Sequence, residues 1–417
     1  LPGQAPLSIE IHGTKPQRKN PIEVTLLRMS IEIIDSLEGL DAIRNHWDQL
    51  HARIRGTVFQ TFSWNRHWWN VYGNGYTLRV VTVWQGNELL AVLPLFLEKI
   101  RLGILHLQRL RLLGTRHIYG EYTPLLSGPH QNEINKELSG WLERELTEGR
   151  CDIVELFRFS PTSVSVAKFL NTLRSAAIGF RYDPKCIPHV VMKLPSNWER
   201  YEESLSGVER TMLRRRQKSL LKAGVAIEKV TDPKHFDSAF SDFVSLHAAT
   251  WHPRGREGYF GSLDGFEDFH RVTSVDLMEQ GYARFYFLRA KGKRIASVQA
   301  FFVHDHCCFY LSGLDRGSEF IRYSPGKVLL ARVIRDAIEE GCATFDFQGG
   351  DEDYKFRFGG QLSWFPKALM WRKDMSRFKV FIFLALQYVR NNIITVALDE
   401  YLKPGIKRMS LWLRLRS

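Results

Sequence analysis

Apolar and polar positions alternate along this chain with a period of two in some stretches and about 3.6 in others, which separates strands from helices. Residues 31–34 read as a strand, and 41–55 as a helix with Ile43, Trp47, Leu50 and Ile54 on one stripe. Ser63 then caps a helix holding Trp64, Trp68, Trp69 and Tyr72. Residues 78–84 and 89–97 flank a turn at 85–88 and form a hairpin, and 101–113 alternates as a further strand pair. A helix over 133–148, a strand over 153–157, a helix to about residue 177 and a crossing segment at 186–190 follow.

Pro195-Ser196 marks a boundary. Beyond it come a helix over 206–222, a strand over 225–230, helices over 233–250 and 266–280, and a three-strand meander over 284–290, 294–303 and 307–314. Ser324-Pro325 is an N-cap followed by Pro at the first helical position, and that helix ends at Gly341 with Arg332, Arg335, Asp336, Glu339 and Glu340 expected to face water. Residues 343–360 then organise the rest. Phe345 and Phe347 take one face of a strand, and Thr344, Asp346 and Gln348 the other. Gly349-Gly350 breaks it, Asp351, Glu352 and Asp353 start a helix, and Gly359-Gly360 stops it. The fold class is α/β (α+β). The organisation is a disordered segment over 1–28, rich in Pro, Lys and Gln, domains over 29–195 and 196–375, and a basic, aromatic helical tail over 376–417.

Length and composition narrow this little: 417 residues with 44% hydrophobic and 25% charged positions describe an ordinary globular chain. Charge changes the picture more. A net +13 and a pI near 9.5 favour anionic partners: phosphates, nucleic acid, acidic lipid or acidic glycan. Five cysteines without zinc spacing suit a reducing cytoplasm. No signal-peptide pattern and no run of about eighteen apolar residues is visible.

Candidate chemistry gathers at four places. Asp346, Asp351, Tyr354 and Lys355 surround one strand-to-helix turn, although a capped helix beside a plain strand reads the same way. Arg322, Tyr323, Ser324, Gly326 and Lys327 gather free N–H groups, a positive helix end and two cations where an anion could bind. This is not a Walker loop, because the G-x-x-x-x-G-K-[ST] spacing is absent. Arg210, Arg214, Lys218 and Lys222, with Arg215 and Arg216, make either a solvated basic face or one turned to an anionic substrate, since no acid lies between Arg210 and Lys222. The loop 251–261 is rich in Gly, Arg and aromatics, as binding loops often are. His304 and His306 sit at a turn tip with no third ligand in register, so no metal is expected.

In this order, these blocks resemble the acyltransferase domain of the GNAT superfamily, in the CelD-type branch associated with cellulose biosynthesis and related to FemAB peptidyltransferases. The residues that carry the resemblance are Leu213-Arg214-Arg215-Arg216, Leu246-His247…Trp251, Tyr323-Ser324-Pro325-Gly326-Lys327-Val328-Leu329-Leu330, and Phe345-Asp346-Phe347…Gly350-Asp351-Glu352-Asp353-Tyr354-Lys355. Phe59-Gln60-Thr61…Trp64…Trp68-Trp69 and Ala91-Val92-Leu93-Pro94-Leu95 look like the partner domain. The resemblance therefore implies two tandem GNAT-like domains, each a mixed, mainly antiparallel sheet flanked by helices. The [RQ]-x-x-G-x-[GA] pattern of coenzyme A users is departed from, with Arg322 four residues before Gly326 and Val328 in place of the second small residue.

What the resemblance implies is direct acyl transfer from a thioester, acyl-CoA as co-substrate, to an amine or hydroxyl of a small molecule, saccharide or lipid precursor. Asp346 or Asp351 would be the base with His247 behind them, Lys355 or strand N–H groups the oxyanion donor, and Tyr354 the acid for the thiolate. Replacing Lys355 should then stop turnover without unfolding the chain. Arg322, Tyr323, Ser324, Gly326 and Lys327 would hold the donor, and Arg214, Arg215, Trp251 and Gln299 the acceptor. Two alternatives stand: a FemAB-like transferase using aminoacyl-tRNA, and a non-catalytic component of a polysaccharide synthesis complex. The basic residues around Leu411-Trp412-Leu413 would give the tail a peripheral contact with the inner face of the membrane, unless it packs on the body.

Overall fold

Each amphipathic period finds its partner in one twelve-strand path, with a thirteenth short strand beside it. The computed structural model describes residues 29–373 apart from 103–104, 115–124, 127–129, 160–163, 175–177, 253–254 and 256–257, together with 382, 383 and 385. The first half contains β1 (Met29–Ile34), α1 (Leu37–Ala42), α2 (Arg44–Ile54), α3 (Phe62–Tyr72), β2 (Thr77–Gln85), β3 (Glu88–Leu102), β4 (Leu105–Leu112), β5 (Leu125–Leu126), α4 (Gln131–Thr147), β6 (Ile153–Phe157), α5 (Val164–Arg174) and β7 (Gly179–Lys193). The second contains α6 (Trp198–Ser204), α7 (Gly207–Lys222), β8 (Ala226–Val230), α8 (Phe236–Trp251), α9 (Gly258–Ser262), α10 (Phe266–Glu279), β9 (Ala283–Ala290), β10 (Lys293–Val303), β11 (His306–Leu314), α11 (Pro325–Glu339), β12 (Thr344–Gly349), α12 (Asp353–Arg357) and β13 (Gln361–Trp371).

The strand order is β1-β2-β3-β4-β6-β13-β7-β12-β11-β10-β9-β8, with β5 beside β3. Read from either end it repeats one pattern: four antiparallel strands, a parallel neighbour, then a strand from the opposite half. β13, late in the chain, pairs with β6, while β7, before the 195–196 boundary, pairs with β12. These two strands pair with each other at the centre. The two halves are therefore joined by one continuous set of backbone hydrogen bonds.

Two apolar layers cover the second half of the sheet. Phe285, Phe287, Phe301 and Tyr310 pack under α8 and α10, and the same cluster takes Trp47, Phe59, Trp64 and Trp68 from the first half. Tyr286, Phe302, Phe309, Phe345 and Phe347 face the other way, under α7 and α11. Alternation along β12 therefore sends Phe345 and Phe347 towards α11 and Asp346 towards the α8 side.

Several expectations change. The alternation in 101–113 belongs to the end of β3 and the single strand β4, so it adds one strand and not two. The crossing segment at 186–190 is the middle of a fifteen-residue strand, and β13 was not foreseen at all. Asp336 does not face water. It is buried and accepts from the Tyr286 hydroxyl at 3.0 Å and from Arg332 at 2.6 Å, with Lys229 3.0 Å away. The segment 1–28 and most of the tail lie outside the described residues, but Phe383 is buried with Leu107, Ile153 and Leu369, beneath the Arg109 guanidinium. Among the described residues no helix is long and apolar enough to cross a membrane.

Three buried histidines give the fold an acid sensitivity. Burial lowers His51 and His247 from the ordinary 6.5 to about 4, against hydrogen bonds to the Thr57 and Ser312 carbonyls that work the other way. Burial, with His247 nearby, takes His270 to about 3. All three are neutral in the folded chain but take up protons below pH 6.5 when unfolded, so stability falls as pH drops from there towards 4. The expected loss is about 2 kcal/mol per histidine at pH 5. Urea midpoints compared at pH 7 and pH 5 check this; equal midpoints would show that these rings are not held neutral.

Candidate active site

The site begins where a ladder stops. β11 and β12 run parallel and pair at His306↔Thr344, Cys307↔Phe345 and Cys308↔Asp346, and no further, although β11 continues to Leu314 and β12 to Gly349. Beyond Cys308 and Asp346 the two strands have no ladder between them. The β12 backbone also leaves regular geometry there, with Gln348 at φ 64° and Gly350 at φ 98°. A side chain at Gly350 would be strained by that φ and would come within 2.7 Å of the Glu352 carboxylate, so glycine is required.

Asp346 sits at this end point. Its Oδ1 accepts from the Gln348 backbone N–H at 2.6 Å and from His189 Nε2 at 2.7 Å, and its Oδ2 accepts from the Gln348 side-chain amide at 2.7 Å. His189 lies on β7, is buried, and stacks on Phe365 of β13 with ring centroids 4.1 Å apart. Sequence reasoning did not single it out. It appeared only as a residue in a crossing segment, and nothing in the local pattern says which strand it will lie against.

Across the turn, Asp351 is exposed and Tyr354 is half-buried. Burial, then the Glu352 charge, pushes the Tyr354 phenol well above its ordinary range, so it keeps its proton at neutral pH. Lys355 is 2% exposed, and its ammonium lies 2.7 Å from the Gly349 carbonyl, 3.2 Å from that of Gly350, 3.3 Å from that of Gln348 and 2.9 Å from the Glu352 carboxylate. Three protons already face four acceptors. Lys355 ties the turn to its own helix.

The start of α11 lies on the opposite face from Asp346. Ser324 is left-handed at φ 52°, and its carbonyl accepts from the Lys327 N–H at 3.0 Å. A Cβ on Gly326 would meet nothing within 4 Å, so the helix end opens onto free space. Burial lowers the Lys327 pKa, Glu209 offsets this, and Arg216 and Arg357 lower it further. Those four side chains therefore gather α7, α11 and α12 around one positive patch, and Arg357 accompanies Lys355 on the same short helix. Arg322 is exposed over the Tyr323 ring, 4.9 Å from its centroid.

The remaining candidates are scattered. Arg214 pairs with Glu202 of α6 at 2.7 Å, so the acid that offsets the basic helix precedes it in the chain, while Arg215 is exposed. His247 donates from Nδ1 to the Ser312 carbonyl at 2.9 Å, and its Nε2 accepts from the Tyr259 N–H at 3.4 Å. Trp251 stands beside the same pair of rings. Gln299 is fully buried and donates to Ser274 of α10 at 2.6 Å. Among the described residues, no three His, Cys, Asp or Glu side chains converge to hold a metal.

Comparison with known proteins adds to this geometry. The family profile described as an acetyltransferase (GNAT) domain matches residues 208–356. No curated protein matches the chain. Among solved structures, FemX is similar in fold, with a TM-score of 0.56 and 13% identity over 81% of this chain and 96% of that one. The C-terminal domain of a putative lysylphosphatidylglycerol synthetase from Agrobacterium fabrum has a TM-score of 0.49 and 11% identity, over 83% of this chain and 96% of that one. Residues 208–356, which hold the ladder end, the α11 start and the turn, are a GNAT-type acyltransferase domain.

Proposed function

We propose that the chain moves an acyl group from a thioester donor, acyl-CoA, to a hydroxyl or amine of an acceptor in a ternary complex at the β11–β12 opening. One observation carries this reading: the ladder stops at a hydrogen-bonded Asp346 carboxylate, and Arg357, on the short helix after the turn that follows it, stands with Lys327 at the α11 start. The donor's phosphates meet the α11 N–H groups, Lys327, Arg216 and Arg357, and its thioester reaches into the gap between the strands. The acceptor comes from the α8 side. As its oxygen or nitrogen attacks the thioester carbon, its proton passes to Asp346. Backbone N–H groups facing the gap steady the oxyanion. The C–S bond then breaks, and Tyr354 protonates the departing thiolate.

Lys355 takes a different part from the one its sequence position suggested. With its donors engaged by three carbonyls and Glu352, it braces the turn that carries Tyr354. His247 likewise has both ring nitrogens in use and fastens α8 to β11 and α9. Asp351 stands exposed at the rim, Arg322, Tyr323 and Ser324 serve donor entry, and Arg215, Trp251 and Gln299 flank the acceptor side or support it. The CelD-type branch and a saccharide or lipid-precursor acceptor belong to this proposal and rest on the 323–330 and 345–355 blocks. An aminoacyl-tRNA donor is the second reading, favoured by the exposed basic face of α7 with Arg215, Lys218 and Lys222.

Coenzyme A should bind with calorimetrically measurable heat, and Lys327→Glu should weaken it at least about tenfold, the equivalent of roughly 1.4 kcal/mol. Binding of tRNA in place of coenzyme A, with ribonuclease-sensitive turnover, would favour the second reading. Asp346→Asn should lower kcat for thiol release from acetyl-CoA, with ethanolamine as probe acceptor, by about 10²–10⁴-fold while coenzyme A affinity holds. Lys355→Met should lower the urea stability by roughly 2–4 kcal/mol, because three carbonyls lose their donor, as well as lowering turnover. Unchanged stability would return Lys355 to a purely chemical role.

A further inference from the structure

The repeated topology allows the two halves to be compared residue by residue. In the first, the Asp152 N–H bonds the Gln108 carbonyl just before β6; in the second, the Ala343 N–H bonds the Asp305 carbonyl just before β12. From those anchors the parallel ladders run in step, Arg109↔Ile153 to Arg111↔Glu155 in one half and His306↔Thr344 to Cys308↔Asp346 in the other. Glu155 is thus the counterpart of Asp346. Each acid also faces a strand lent by the opposite half, at Leu369 and Val191 respectively. Two residues before each of those partners stands a basic side chain bonded to the acid: Lys367 Nζ at 2.5 Å from Glu155 Oε1, and His189 Nε2 at 2.7 Å from Asp346 Oδ1.

The two centres differ in what surrounds the acid. Glu155 also has Arg109 at 2.8 Å and Arg111 at 3.5 Å. Burial raises its carboxyl pKa, but Lys367, Arg111 and Arg109 together outweigh that and hold it well below the usual carboxylate range. It is a fixed anion in a fixed cluster and does not take up a proton. Asp346 has no permanent cation among the described side chains that pair with it. Its partners are the Gln348 amide groups and the His189 ring, whose plane is set by stacking on Phe365.

We infer that His189, delivered to the second half by an exchanged strand of the first, is a positioning residue for acyl transfer, aiming the Asp346 carboxylate without a permanent charge, while the Glu155 centre is a structural lock without turnover. This rests on the acyl-transfer reading with Asp346 as base. A ring N–H held in a fixed plane aims one carboxylate oxygen by geometry, whereas an ammonium in the same place, as beside Glu155, adds a permanent positive charge that holds the acid as the anion. Of these two centres the one at Asp346 is the reacting one, and it is incomplete without a residue from the half that lies outside the matched domain.

The test compares His189→Ala, His189→Gln, His189→Lys and Lys367→Met, using thiol release from acetyl-CoA with ethanolamine and thermal midpoints as folding controls. His189→Ala should lower kcat by about 10–100-fold with both KM values within about twofold, the pattern of an interaction that matters to the transition state. His189→Gln, which keeps an N–H donor, should recover part of that loss, His189→Lys should not, and Lys367→Met should leave kcat unchanged. An unchanged kcat in His189→Ala, a Gln variant no better than Ala at equal thermal midpoint, or an equal kcat loss in Lys367→Met would each overturn the inference. A second readout needs no turnover. In ¹⁵N-histidine-labelled protein, Asp346→Asn should move the His189 ring nitrogen signals, and unmoved signals would show that the bond is not made. Failure of the wild-type chain both to bind coenzyme A and to release thiol would instead bring down the acyl-transfer reading itself.

Discussion

The exchange of β7 and β13 is the constraint from which the rest follows. Among the described residues each half supplies five successive strands of the path, β5 aside, and ends at a short parallel strand, β6 or β12, whose outer edge must be hydrogen-bonded by something. The opposite half supplies it, and the two supplied strands then pair with each other. Backbone hydrogen bonding thus runs across the domain boundary without a break, and an aromatic cluster with Trp64 at its centre, touching Phe269, Phe301 and Tyr310, closes one face of the same junction. A hinge between the halves would have to break the β7–β13 ladder, so the β11–β12 opening is held by a rigid frame and not by a loose contact between two lobes.

That frame lets similar backbone positions carry different chemistry. Three fixed cations hold Glu155 in a closed, charged network, whereas the Gln348 amide groups and the His189 ring hold Asp346 where the β11–β12 ladder ends. The helices that precede the two acids differ in the same sense. α4 carries Glu133 in its first turn, and α11 has no acid there and gathers Lys327, Arg216 and Arg357. Negative charge is therefore disfavoured at one helix start and favoured at the other, although both follow a left-handed residue, His130 or Ser324.

Much of this was legible in the sequence, because local patterns write local structure. Ser324-Pro325 and Gly341 bracket α11, the alternation of Phe345 and Phe347 against Asp346 sets the two faces of β12, and Gly349-Gly350 marks the turn. What stayed hidden depends on contacts between distant segments. A period of two announces a strand but not its neighbour, so β7 was read as a crossing piece and His189 had no visible partner. Pro366 lies inside β13, where the pairing with β7 shifts register, and its presence argues against reading a strand there at all. The sequence sets Lys355 beside acids but does not show which carbonyls its ammonium bonds. Its reach back to the carbonyls at 348–350 depends on the left-handed Gln348 and Gly350, which no spacing rule reports. The basic face of α7 looked unopposed because Glu202 stands on the helix before it.

Strand exchange also sets an order of assembly during synthesis. When the ribosome has released residues up to Lys193 at the end of β7, the first half still lacks the strand that covers β6, and that strand, Gln361–Trp371, is still far down the chain. Until then the β6 edge and the long free β7 are open to any passing strand, including those of a sibling nascent chain. Native pairing becomes available only once 361–371 has emerged, so the N-terminal half completes its sheet last, even though it is made first.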